Sequence, residues 1–144
     1  VDLARQNVME GGRPFATVIA RDGQVLAESP NLVAQTNDPT AHAAILAIRA
    51  ACTAVGSEHL TGATIYVLAH PCPMCLGSLY YCSPDEVVFL TAGHIADRGP
   101  HHELVVRSAA YRDLVDALER APAGGPARRL PATRAAGKPG RVRR

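Results

Sequence analysis

Leu3, Ala4, Val8 and Met9 recur at helical spacing over the first ten residues, and Gly11-Gly12 closes that segment. Pro14 to Ala20 and Val25 to Glu28 are short apolar runs. Between them Arg21-Asp22-Gly23-Gln24 carries the Asp-Gly pair of a two-residue hairpin turn. Ser29 to Thr36 is polar and reads as loop. The next helix is expected to open at Asn37-Asp38-Pro39, with Asp38 as N-cap and Pro39 at the first helical position, where a missing N–H costs nothing. It should run to about Val55 and stop at Gly56. Thr64 to Ala69 is β-branched and continuous, the pattern of a strand buried on both faces. Pro71-Cys72-Pro73 repeats the proline device, with Cys72 at the cap and a helix reaching Cys82. After the Ser83-Pro84-Asp85 break, Glu86 to Leu90 makes a further strand. His101 to Glu119 sets Leu104, Val105, Ala109, Leu114, Val115 and Leu118 along one face of a long amphipathic helix.

The resulting order is helix, strand, strand, helix, strand, helix, strand, helix, which implies a mixed sheet with helices on its faces. We therefore expect one three-layer α/β domain over residues 1–121. Residues 122–144, rich in Pro, Gly and Arg, form a basic tail with no regular structure expected.

A chain of 144 residues suffices for one substantial core, and an apolar share of 47% excludes disorder throughout. The longest apolar stretch, Ala41 to Val55, is cut by His42, Arg49 and Thr53, whereas a membrane span needs roughly 18 apolar residues without interruption. The opening Val1-Asp2-Leu3 has no secretory character, so a cytoplasmic location is expected. Aromatic residues make up only 4%, which argues against a nucleic-acid reader built on stacked rings. Charge is unevenly spread. Seven of the fifteen basic residues lie between Arg128 and Arg144, leaving the body up to Ala127 with a net charge of −5. Such a tail could contact phosphate or simply be solvated.

Four cysteines without a secretory signal read as thiols or metal ligands rather than disulfides. Cys52 and Cys82 sit in apolar helical surroundings and look like core residues. Cys72 and Cys75 are three apart at a helix start, so their side chains leave on one side, and the positive end of the helix favours thiolates. His42 lies in the opening region of the other proline-led helix. Alone, the Cys pair could be a redox motif and the His a core residue. Together, His42, Cys72 and Cys75 suit zinc, and three protein ligands leave the fourth tetrahedral position open, as catalytic sites do.

Thr36-Asn37-Asp38-Pro39-Thr40-Ala41-His42-Ala43, followed 29 residues after His42 by Pro71-Cys72-Pro73-Met74-Cys75, resembles the cytidine/deoxycytidylate deaminase superfamily, in particular its bacterial guanine-deaminase-like nucleobase branch. The resemblance is good from Val1 to Leu90 and loose beyond, although Arg128-Arg129-Leu130-Pro131 looks like that branch's tail. It implies a cytidine-deaminase-like α-β-α sandwich with a five-stranded mixed sheet. It also implies Zn²⁺ on His42, Cys72 and Cys75, and hydrolytic loss of ammonia from an amino-substituted heterocycle. By position, Asn31 matches the family's substrate-binding asparagine, Ala43 offers its backbone N–H to substrate, and Phe15 contacts the base. Without the resemblance, Asn31 reads equally as a turn residue and Phe15 as core packing. The partners implied are a small-molecule nucleobase and a second copy of the chain, with neither membrane nor nucleic acid expected.

Three positions depart from the family pattern. The proton-shuttling Glu of His-Ala-Glu is Ala44 here, so the chain should bind zinc and substrate yet turn over poorly. With everything around it intact, Ala44 reads as a deliberate substitution made to trap a ligand, with a natural pseudoenzyme as the alternative. His70 stands where relatives carry Glu, either lining the pocket or capping the following helix. Thr91 to Asp97, read as following the last strand, lacks the acidic and aromatic arrangement expected for guanine, which leaves cytosine or a triazine open. Two further readings remain: a tRNA adenosine deaminase using the basic tail on RNA, and a non-catalytic, zinc-stabilised binding protein.

Overall fold

A computed structural model describes residues 1–91 and 94–107. The elements are α1 (Asp2–Met9), β1 (Arg13–Arg21), β2 (Gln24–Asn31), α2 (Val33–Thr36), α3 (Ala43–Val55), β3 (Ala63–Val67), α4 (Pro73–Cys82), β4 (Glu86–Thr91), β5 (His94–Gly99) and α5 (His101–Arg107). The strands form one five-stranded sheet in the order β2-β1-β3-β4-β5. Only β3 and β4 run parallel; every other neighbouring pair is antiparallel. This is the mixed sheet with flanking helices implied by the resemblance.

Local chemistry accounts for the punctuation. Asp22 and Gly23 both have positive φ, 53° and 75°, the signature of the two-residue turn whose twist matches a hairpin. Gly56 ends α3 in the left-handed region, and the N–H groups of Gly56 and Ser57 return to the carbonyls of Thr53 and Cys52. Pro73 opens α4 directly after the Cys72 cap.

One face of the sheet buries Ile19, Ile65, Val67, Val87 and Phe89 against Ala47, Ile48 and Ala51 of α3 and Leu76 and Leu79 of α4. Elsewhere, Pro14, Leu68 and Leu90 line a surface hollow together with Ala4 and Val8 of α1, which packs on β1 and β2. Helices thus flank the sheet on both sides.

Several boundaries differ from the sequence reading. α3 starts at Ala43 with His42 as its N-cap, not at Pro39 behind Asp38. The Asp38 carboxylate instead accepts from the Thr40 N–H at 2.8 Å and the Thr40 hydroxyl at 2.7 Å, closing a local turn before the helix. Those bonds hold the Asp38 carboxyl below its usual range. Ser29 to Thr36 is not loop: β2 continues to Asn31 and α2 follows. Polar Ser29 and Asn31 are its buried positions, and Pro30 is tolerated because β2 is an edge strand. β3 ends at Val67 and is not buried on both faces, since α1 packs on β1 and β2 and leaves Tyr66 44% exposed among the described residues. β5, absent from the hydrophobic pattern, pairs with β4, so within the stretch read as following the last strand Thr91 closes β4 and His94 to Asp97 lie in β5. The helix expected over His101 to Glu119 is described up to Arg107. Its remainder, the 1–121 boundary, Arg128-Arg129-Leu130-Pro131 and the 122–144 tail lie outside the described residues.

Candidate zinc centre and base-sized cavity

Both ligand-bearing segments end in an N-cap. His42 and Cys72 each hold extended backbone angles immediately before a helix, and neither uses its side chain as a cap. Their side chains are therefore free to turn toward one point, and Cys75 joins them from the first turn of α4. Cys72 Sγ lies 3.5 Å from His42 Nδ1 and 3.5 Å from Cys75 Sγ, and Cys75 Sγ lies 3.6 Å from His42 Nδ1. Ligands on a tetrahedral zinc with Zn–S of about 2.3 Å and Zn–N of about 2.0–2.1 Å stand about 3.6–3.8 Å apart, so the three donors fit the ion. No other group of three or more His, Cys, Asp or Glu side chains among the described residues converges in this way.

Burial pushes the Cys75 thiol up to about 12, and the neighbouring Cys72 sulfur adds to the rise. A buried thiol packed against a second sulfur resists ionisation unless a cation lies beside it, which is the role zinc would fill. Burial likewise pushes the Cys82 thiol up to about 12, in keeping with its core position. Cys52 is half-buried at the core margin, its Sγ 3.6 Å from the Glu58 carbonyl.

The donors open onto a cavity of about 180 Å³ walled by Arg13, Phe15, Ala16, Thr17, Asn31, Ala43, Ala44, Val67 to Pro71 and the three ligands. Every site residue singled out in the sequence is brought to it. Phe15 is 41% exposed at the mouth, so it is not packed in the core. Asn31 is a buried strand-end residue and not a free turn. Its Oδ1 accepts from the Val33 N–H at 3.2 Å, and its amide NH₂ has no partner among the described residues. Ala43 is the first residue of α3, where the N–H has no helical acceptor. Ala44 is buried beside Cys75 and Ile45. His70 lies on the wall with its ring against Phe89, centroids 4.5 Å apart.

Asn7 was not legible as a site residue. Buried on α1, it donates Nδ2 to the Arg13 carbonyl at 2.7 Å and the Asn31 carbonyl at 2.9 Å, and accepts from Gln35 Nε2 at 2.7 Å. It thereby ties the start of β1 to the end of β2, the two strand ends that wall the cavity. A Cβ on Gly12 would collide with the Asn7 and Gln35 amides, so any side chain there has to displace that amide pair. The Leu32 N–H donates to the Ala41 carbonyl at 3.0 Å and fixes the approach to His42.

The sheet, the paired helix starts and the open cavity define an α/β domain in which three convergent donors could hold zinc. The chain belongs to the family described as the cytidine and deoxycytidylate deaminase zinc-binding region, which it matches over residues 1–91. It is similar to the guanine deaminase of Bacillus subtilis (strain 168), 46% identical over 95 residues that cover 65% of this chain and 60% of the relative. The crystal structure of a Bacillus subtilis guanine deaminase superposes with a TM-score of 0.60 at 46% identity, covering 64% of this chain and 59% of that one. A tRNA-specific adenosine deaminase of Agrobacterium fabrum is 46% identical over 68 residues, 47% of this chain and 45% of the relative. The chain thus spans 45–60% of the length of these curated relatives.

Proposed function

We propose that this chain binds an amino-substituted nucleobase, guanine-like or cytosine-like, at a zinc centre, and that the reaction of this site is hydrolytic deamination: water adds at the amino-bearing ring carbon and the amino group leaves as ammonia. The observation that carries the reading is the His42-Cys72-Cys75 cluster opening directly onto a cavity of about 180 Å³. That volume lies below the ~300–1,000 Å³ of sites for drug-sized ligands and suits a single small heterocycle. Zinc on these three residues would supply Lewis acidity that makes water nucleophilic near neutral pH. The unpaired Asn31 amide would donate to a ring nitrogen or carbonyl, and the N–H of Ala43 would orient the ring edge. Phe15, at the mouth, would cover the base and exclude water. Ala44 presents a methyl where the family pattern has a carboxylate, so the chain as it stands would hold a base and move its protons poorly.

The test is ammonia release by the Ala44→Glu form at matched zinc content, on guanine, cytosine, adenine, isocytosine and amino-triazines. A positioned general acid–base contributes about 10²- to 10⁴-fold, and a rise of that order is expected. If Ala44→Glu is no faster on any base, the deaminase reading fails and a zinc-stabilised binding protein takes its place. The tRNA-deaminase reading is favoured by the 46% identity to the Agrobacterium protein. An RNA anticodon stem-loop in the same panel tests it, and turnover of that RNA alone would replace the free-base reading.

A further inference from the structure

Buried polar side chains around the cavity are hydrogen-bonded with one exception. Asn7 and Asn31 are engaged as described, and the Ser29 hydroxyl donates to the Pro30 carbonyl at 2.9 Å. Thr17, 0% exposed, is different: its Oγ1 is the one buried side-chain polar atom among the described residues that has no partner. Such a group has lost its water and gained nothing in return, which is why native proteins rarely keep one.

Its position suggests what the missing partner is. On β1, Thr17 points to the same face as Ile19, and Ile19 packs with Ala47, Ile48 and Ala51 of α3. From Ile19 one step back along that face reaches Thr17, and from Ala47 and Ile48 one turn back along α3 reaches Ala44. Both steps lead to the wall of the same cavity, beside His42 and Cys75. Ala44 ends at its Cβ, beside Ile45, Cys72 and Cys75, and itself offers a hydroxyl nothing.

We propose that Thr17 is a positioning residue for the side chain at position 44: its hydroxyl is placed to donate a hydrogen bond to a carboxylate there, and with alanine it is left stranded. The inference rests on the deaminase reading only for the choice of a carboxylate. A hydroxyl that is already desolvated makes this bond at no further hydration cost of its own, and an ionised oxygen is its strongest acceptor. Holding one carboxylate oxygen in this way would fix the torsions of a long side chain and leave the other oxygen facing the ligand.

Thr17→Val keeps the shape and removes the hydroxyl, so its effect should change sign with residue 44. In the zinc-loaded full chain, Thr17→Val is expected to raise the melting temperature by about 2–4 °C, because a stranded polar atom is gone. In the Ala44→Glu form the same substitution is expected to lower it by a similar amount. There it should also cut kcat about 10-fold with KM within about twofold, and Thr17→Ser, which retains the hydroxyl, should restore kcat. Should Ala44→Glu fail to fold, Ala44→Gln supplies a neutral acceptor on the same stem, and the reversal must appear in that form. A Thr17→Val change of the same sign and size in both backgrounds overturns the pairing. If the reversal is seen but no base is deaminated, the deaminase reading falls and the pairing stands. If bases are deaminated without the reversal, only the pairing falls.

Discussion

Replacing Asn7 by Ala removes three hydrogen bonds in one step, and their surroundings differ enough to rank them. The Gln35 amide is exposed and regains water when Asn7 Oδ1 is lost. Arg13 is also exposed, so its carbonyl is partly rehydrated. The Asn31 carbonyl belongs to a residue only 3% exposed, and it carries most of the penalty. An unsatisfied buried acceptor costs about 1–3 kcal/mol, so with smaller terms from the other two bonds the expected destabilisation is about 2–3 kcal/mol. At this chain length that lowers the melting temperature by roughly 5–10 °C. Urea unfolding of the zinc-loaded chain measures the free energy, with the m-value as a check that the denatured state is unchanged.

Asn7→Asp supplies the sign. Its carboxylate would face two carbonyl oxygens, which raises its folded-state pKa above the unfolded value of about 3.9. Only the protonated acid can donate, so the stability it contributes is fully present below about pH 4 and is lost as pH rises through the folded value. A loss under about 0.5 kcal/mol for Asn7→Ala, with Asn7→Asp indifferent to pH, would refute the assignment of Asn7 as the tie between β1 and β2.

Two further outcomes follow from the same geometry. Cys75→Ser should lose bound zinc, measured as metal per chain after dialysis, because a serine hydroxyl is a far poorer zinc ligand than a thiolate; full occupancy would remove Cys75 from the centre. Gly12→Ala should destabilise the chain by about 1–3 kcal/mol in the same unfolding assay, since its methyl displaces the Asn7–Gln35 amide pair; a neutral effect would mean that the pair yields without cost.

Residues whose chemistry is local were legible in the sequence. Asp22-Gly23 announced its turn because few other pairs accept two positive φ angles, and Gly56 announced a helix end for the same reason. The convergence of His42, Cys72 and Cys75 was legible because thiols three apart and an upstream histidine form a sparse pattern with few competing uses. Asp38-Pro39 misled because an Asp-Pro pair caps a helix and opens a turn with equal ease. Here the Thr40 N–H and hydroxyl both donate to the Asp38 carboxylate and close the turn. β5 was hidden because its first five residues, His94 to Arg98, are exposed or half-buried at the sheet edge, so no alternation of apolar residues marks it. Asn7 was hidden for a different reason: its partners are backbone carbonyls, which leave no trace in the side-chain pattern. Thr17 passed as one more β-branched strand residue until its hydroxyl proved to lack a partner.

In the proposed function a zinc ion is held by three side chains of this chain, with its fourth position turned to a base-sized cavity. X-ray absorption at the zinc edge tests it most directly, on the full chain with and without a bound base. The account predicts two sulfur ligands at about 2.3 Å and two lighter ligands, one the His42 imidazole at about 2.0–2.1 Å, with only the non-protein light ligand changing when base is added. Three or four sulfurs around zinc, or a spectrum untouched by a base shown to bind, would contradict it.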